Sequence, residues 1–463
     1  MMSTKNKKLI LIGLDCATPK TLFKDFIDDC PNIKKLLENG VFGILRSTDP
    51  PITIPAWMSM LTGKDPGFLG VYGFRHRRNY SYTDFYLANS NFIKEPKIWD
   101  ILAEKDLKSC IVGVPPSYPV KPVNGYLISG FMAPSTSSEY TYPPILKQEI
   151  KENIGDYILD IQFRIGNKEK ILMDLYEMTE IQFKTVKYLM KNKEWDFFLF
   201  VIIGLDRMHH AFWKYYDKQH QKYEPNNIFE SEMRKYYNYL DKKIGELIEL
   251  LDNNTSISIV SDHGVKPMKG CISINLALES LGLLKFKGKV EPGTRFEDSN
   301  IDWSQTYAWG WGGYEARIFL NVKGRESNGI INKDDYEEMR EKIAEKIKTI
   351  KDDKGTSMNT KVYKPEELYP VIRGDPPDLI VYFDDLNWRS VGTVGYKTMY
   401  LMDNDTGPDD AVHDYHGVYI FYNPKNKKGR NLGAKNILDI APTILNLFGI
   451  GNVNNMKGEI IKF

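Results

Sequence analysis

The feature that most constrains this chain is a series of short, continuous apolar runs separated by helix-length amphipathic segments. "KKLILIGLD", "VFGILRST", "SCIVGVP", "WDFFLFVIIG", "SISIVSD", "DLIVYF" and "GVYIFYNP" are rich in apolar and β-branched residues, the pattern of strands buried on both faces. "PNIKKLLENG", "IWDILAEKDLK" and "MRKYYNYLDKKIGELIELLD" lie between such runs and read as helices. The expected fold is therefore α/β, a mostly parallel central sheet with helices on both faces. Two regions break the rhythm. Residues 131–165 open with the Pro/Ser/Thr/Tyr-rich "FMAPSTSSEYTYPP" and predict a small excursion over the sheet edge. Residues 276–400 carry "YAWGWGGYEARIF" and a charged helix, and predict an inserted cap set into a core of residues 1–275 and 401–463. The basic run "NPKNKKGRN" reads as a solvated turn.

Charge narrows the range of partners. Lys and Arg number 62 against 61 Asp and Glu, so no net field draws the chain to a nucleic acid backbone or an anionic membrane. The start "MMSTKNKK" is basic, but the apolar run behind it is too short for a signal segment or a membrane span. The four cysteines, Cys16, Cys30, Cys110 and Cys271, form no CxxC pair, which argues against a thiolate zinc site and suits a reducing cytoplasm.

In open parallel sheets ligands bind beyond the carboxyl ends of the strands. Asp15 ends "LILIGLD", Asp206 ends "FLFVIIGLD", and Asp262 with His263 ends "SISIVSDH". One Asp after a strand is ordinarily an N-cap or an Asx turn; three such endings, one with an imidazole beside it, suggest ligands. If Asp206 opens a helix, His210 lies one turn later on the same face and the two can grip one ion, whereas His209 points elsewhere. His413, beside an apolar run, reads equally as a buried hydrogen-bonded residue. Thr53 in "TIPAWMSMLTG" reads as an N-cap or as a hydroxyl facing an anion at a helix start.

In order and spacing, "GLD" at Asp15, "TIPAWMSMLTG" around Thr53, "EPKIWDIL" from Glu95, "DRMHH" at Asp206, "SDHG" at Asp262, "HDYHGVYIF" at His413 and "ILDIAPTILNLFGI" near the end resemble the type I phosphodiesterase/nucleotide pyrophosphatase family of the alkaline phosphatase superfamily. The resemblance implies a hydrolase of small phosphate esters with two divalent ions, zinc or manganese. It implies one ion among Asp15, Thr53, Asp262 and His263, and the other among Asp206, His210 and His413, with Thr53 as nucleophile and a phosphothreonine intermediate. Physical chemistry agrees: a threonine hydroxyl is a weak nucleophile that a cation can activate, and two ions about 4 Å apart stabilise in-line displacement at phosphorus.

The chain also departs from the pattern. Family diesterases carry an Asn where Phe74 stands, so Arg75, His76, Arg77 or Arg78 become candidate phosphate donors, or else a solvated loop. His416 competes with His413 as a ligand. Trp57, Tyr72 and Phe74 offer aromatic bulk near Thr53 for a second organic group, whereas Trp309, Trp311 and Tyr314 are expected to pack the cap. A mutase or phosphotransferase, a phosphomonoesterase and a non-catalytic binding protein remain alternatives. A sulfatase would need Cys or Ser at Thr53.

Overall fold

A computed structural model describes residues 7–451 and 455–463; residues 1–6, the first part of the start, lie outside that range. Nine strands form the main sheet: β1 (Lys8–Leu14), β2 (Val41–Arg46), β3 (Ser109–Val112), β4 (Gly125–Ile128), β5 (Thr141–Tyr142), β6 (Phe197–Ile202), β7 (Thr255–Val260), β8 (His416–Tyr422) and β9 (Arg430–Asn436), in the order β9-β2-β8-β7-β1-β6-β3-β4-β5. β1, β3, β4, β6 and β7 run parallel to their neighbours among themselves. β8 enters antiparallel between β2 and β7, and β5 closes the far edge antiparallel to β4. The sheet is mostly parallel with helices on both faces, an alkaline phosphatase-like architecture.

The continuous apolar runs follow from burial on both faces. From β1, Ile10, Ile12 and Leu14 enter one apolar cluster, and Leu9 and Leu11 enter another on the opposite face, as the two-residue strand period requires. The first cluster is covered by Pro31–Asn39, Lys168–Asn192, Gly204–Tyr216 and Glu232–Ile248; the second by Thr53–Thr62, Ile98–Ala103 and Ile440–Leu447.

One expected strand lies elsewhere. "DLIVYF" supplies Leu379–Tyr382 to a four-stranded antiparallel sheet with Ala308–Trp311, Ala316–Leu320 and Lys361–Tyr363. A short apolar run does not reveal its direction or its sheet. This smaller sheet has its own apolar cluster, with Trp309, Ile318, Phe319 and Ile343 among its members. Trp309 packs inside it, as expected.

Gly13 illustrates how closely the core approaches the site. A Cβ there would stand 2.3 Å from Cη2 of Trp57, and Trp57 is wholly buried. Gly13→Ala therefore overpacks the β1 face, and urea unfolding should show a loss of about 1–3 kcal/mol.

Candidate active site

β7, β1 and β6 are adjacent parallel strands, and their carboxyl ends deliver Asp262 with His263, Asp15 and Asp206 to one place. The chain leaves β1 through Cys16, whose φ of 68° is left-handed. This conformation costs about 1–2 kcal/mol for a non-glycine residue, and it aims the Cys16 N–H at Asp262 Oδ1, 3.2 Å away. Asp206 lies in the first turn of Gly204–Tyr216, and the helical repeat carries His210 to the same face. Trp57 Nε1 donates to Asp15 Oδ2 at 2.8 Å and fixes that carboxylate. His413 arrives on Ala411–Asp414, paired antiparallel with Gly264–Pro267. Thr53 is the first residue of its helix, buried, with Oγ 3.2 Å from His263 Nε2.

The imidazoles are oriented from behind. His413 Nδ1 donates to the Pro51 carbonyl at 3.0 Å, His263 Nδ1 to the Gly264 carbonyl at 3.0 Å, and His210 Nδ1 to Asp409 at 2.7 Å. Acceptor-only partners place a proton on each Nδ1 and turn each Nε2 inward. These nitrogens converge on carboxylate oxygens. His210 Nε2 lies 3.2 Å from Asp206 Oδ1, His413 Nε2 3.6 Å from the same oxygen, and His263 Nε2 3.3 Å from Asp262 Oδ2 and 3.6 Å from Asp15 Oδ1. Asp15 Oδ1, Asp206 Oδ1 and Asp262 Oδ2 are buried with no hydrogen-bond donor. Carboxylate oxygens and imidazole nitrogens converging in a dry site make a donor set that fits divalent ions.

The ionisation equilibria reflect the same crowding. Burial pushes Asp15 up to about 8, with the Asp206 charge adding to it, and pushes Asp262 well above the carboxylate range, with Asp15 adding. Burial also opposes charge on Asp206, but His210 overrides it and holds that carboxyl well below its ordinary value. Burial lowers His413 to about 4 and, with the charge of His413 adding to it, holds His263 well below the ordinary imidazole value.

Two sets of ligand atoms, each mutually within 4.8 Å, stand out: Asp15, Asp206 and His263, and Cys16, Asp206, His210 and His413. Cys16 was not read as a ligand from the sequence, where it counted only among four unpaired cysteines, although its place beside Asp15 was the available signal. His416, by contrast, is exposed, at the start of β8 opposite Arg46.

A cavity of about 490 Å³ opens over Thr53 and Asp206. Phe74 and Arg75 line it; His76 and Arg77 do not, and their expected substrate contacts are corrected accordingly. His76 Nε2 accepts from the Tyr72 N–H at 2.9 Å, and Arg77 is buried between Glu326 and Asp375, at 3.0 and 2.7 Å. Burial holds His76 neutral, near 3. Trp57 and Tyr72 also lie outside the cavity wall, in the core. Trp311 and Tyr314, expected to pack the cap, do line the cavity. The Tyr314 ring stacks on His413 with centroids 3.4 Å apart, and its hydroxyl lies 3.1 Å from His210 Nε2. Sequence reading also missed Asp409 and Arg164 in loops, Arg207 next to Asp206 in the helix Gly204–Tyr216, and Arg389 in the strand Trp388–Val391; none of them interrupts an apolar run as the strand-end acids do.

Fold and site together define a phosphoester hydrolase of alkaline phosphatase-like architecture. The chain belongs to the type I phosphodiesterase/nucleotide pyrophosphatase family, whose profile matches residues 9–415. No curated protein matches it in sequence. Among solved structures it is similar to murine ectonucleotide pyrophosphatase/phosphodiesterase 5, an inactive form in complex with AMP, at 13% identity and a TM-score of 0.58, covering 98% of this chain and 97% of that one. The human form is similar at 14% identity and a TM-score of 0.57, covering 96% of each chain. At such identities the likeness is one of fold.

Asp409 holds the arrangement from behind. Besides His210 it accepts from Arg164 Nε at 3.0 Å and Arg389 Nη1 at 3.3 Å. Burial would raise its pKa, but His210 first and then Arg164 drive it well below the carboxylate range. A depressed folded-state pKa gives stability that is full above about pH 4, the unfolded value, and is lost as pH falls through the folded value. Asp409→Asn should therefore cost about 3–5 kcal/mol near pH 7. Denaturant titrations at descending pH should show the gap to wild type closing in the acid range.

Proposed function

We propose that this protein is a metal-dependent phosphodiesterase or nucleotide pyrophosphatase that works through a phosphothreonine at Thr53. The observation that carries this reading is the convergence of three donorless carboxylate oxygens and three imidazole Nε2 atoms beside the Thr53 hydroxyl. Asp15, Thr53, Asp262 and His263 would hold one divalent ion and Asp206, His210 and His413 the other. Zinc or manganese suits the carboxylate and imidazole donors. When bound, such ions neutralise phosphate charge and raise the nucleophilicity of the threonine oxygen.

The rest of the proposal concerns the chain's own side chains. Thr53, locked into the first turn of a buried helix, presents Oγ to the cavity and attacks phosphorus, losing its proton to solvent and forming a P–O bond as the bond to the departing ester oxygen breaks; the alkoxide leaves with a proton from solvent, and water then cleaves the phosphothreonine and restores the hydroxyl. Trp57 keeps Asp15 in register, while Asp409, the Pro51 carbonyl and the Gly264 carbonyl keep the imidazoles aimed inward. Phe74, Phe131, Phe163 and Trp311 give the cavity an aromatic wall, which supports a diester carrying a second organic group. Residues 276–400 supply much of the cavity lining and would act as the specificity region. A reducing cytoplasm is part of the proposal, supported by four buried, free cysteines.

Purified, metal-loaded protein should hydrolyse bis(4-nitrophenyl) phosphate with higher kcat/KM than 4-nitrophenyl phosphate. Thr53→Ala should abolish turnover while the fold and most bound metal persist; retained activity in that variant would sink the mechanism. Elemental analysis should find two ions per chain, one in His413→Ala and two in His416→Ala. The reverse pattern would overturn the ligand assignment.

A further inference from the structure

Transfer of a phosphoryl group builds charge on the non-bridging oxygens, and a fixed donor is needed where that charge grows. Six arginines line the cavity: Arg75, Arg164, Arg207, Arg295, Arg317 and Arg389. Most are already engaged away from Thr53. Arg164 and Arg389 meet at Asp409, Arg295 pairs with Asp298, and Arg317 lies beside Glu315. Arg75 is exposed, its guanidinium over Phe85 at 5.2 Å.

Arg207 differs in three respects. It follows Asp206 directly, and so sits beside the ligand cluster. Its guanidinium is clamped between the Phe163 and Phe131 rings, 4.5 and 5.0 Å from their centroids, and holds Asp160 in a bidentate pair at 2.9 and 2.7 Å. Its Nη1 donates to Asp206 Oδ2 at 2.6 Å. Of the five N–H groups of a guanidinium, three are thus committed and two remain, on a side chain that lines the same cavity as Thr53. The aromatic clamp and the Asp160 fork fix its orientation before any ligand arrives.

We propose that Arg207 is the phosphoryl-binding residue, donating its two uncommitted N–H groups to a non-bridging oxygen of the scissile phosphate. The assignment rests on the proposed hydrolase reading. It also gives Asp160 a role as the residue that positions the guanidinium.

The test uses the full, metal-loaded chain as wild type, Arg207→Lys and Arg207→Ala. It measures turnover of bis(4-nitrophenyl) phosphate, bound metal by elemental analysis, and orthovanadate and inorganic phosphate affinity by calorimetry. The expected result is a fall in kcat of about 10²–10³-fold, the usual cost of one transition-state donor, with two ions retained. Vanadate affinity should fall by a similar factor and phosphate affinity by less, and added guanidinium should restore part of the Ala variant's turnover. Unchanged vanadate affinity, or a rate loss that only follows loss of metal, would overturn the assignment. Should Arg207→Ala fail to fold, the vanadate affinity of Arg207→Lys decides. A wild-type chain that binds vanadate through Arg207 yet turns over no phosphate ester would overturn the hydrolase reading, and with it the scissile phosphate, and leave Arg207 only as an oxyanion ligand.

Discussion

Three carboxylates buried within reach of one another, with no donor on their inward oxygens, dominate the energetics at the carboxyl edge of the sheet. Removing such groups from water without partners costs several kcal/mol each, and the fold has not spent hydrogen bonds to neutralise them there. It has spent them on the outward atoms instead: Trp57 on Asp15, Cys16 N–H on Asp262, and Arg207 on Asp206. Each carboxylate is thus held by one oxygen and left available by the other. The three imidazoles repeat the device, with Nδ1 tied back and Nε2 presented inward. A chain arranged in this way is pre-organised for cations, and its other contacts serve to keep the ligands from turning outward.

Asp409 shows how far that support reaches. Its carboxylate joins Arg164 of the excursion, His210 of a core helix and Arg389 of the segment beside the smaller sheet. Tyr314 enters the same network, its hydroxyl 3.2 Å from Arg164 Nη2 and its ring under the Arg389 guanidinium at 4.2 Å. Regions outside the central sheet therefore carry part of the orientation of a proposed ligand. The Gly312–Gly313 approach to Tyr314 is pinned in turn by paired backbone bonds between Gly313 and Ser390, both at 3.0 Å.

The legibility of the site in the sequence follows the same physics. Asp15, Asp206 and Asp262 could be read because each interrupts an apolar run, and the run itself exists because the strand is buried on both faces. His210 could be read because helical spacing ties it to Asp206. His413 needed the resemblance, since a histidine next to an apolar strand has many explanations. Asp409, four residues earlier in "PDDAVHD", resembles any polar loop, and its partners are 199 and 245 residues away in sequence for His210 and Arg164. Neighbouring residues in "GFRHRRN" were equally opaque: Arg75 faces the cavity, whereas Arg77 turns into a buried ion network. Strand direction was unreadable too, so β8 and Leu379–Tyr382 looked alike although one joins the central sheet and the other a separate antiparallel one.

Charge compensation bears finally on the diester reading. A bowl of six arginines would suit a phosphate dianion if their charges were free, but nearly every one has its own acid: Arg207 has Asp160 and Asp206, Arg164 and Arg389 share Asp409, Arg317 has Glu315, and Arg295 has Asp298. Among the described residues Arg75 has no ion pair, but it is exposed, where solvent and salt screen it. What remains is a nearly neutral wall with aromatic faces and a few oriented N–H groups. Such a wall supplies directional hydrogen bonds to phosphoryl oxygens without a large excess of positive charge. Under the proposed function, such a wall would favour a singly charged diester with an organic group on each side over a small dianion.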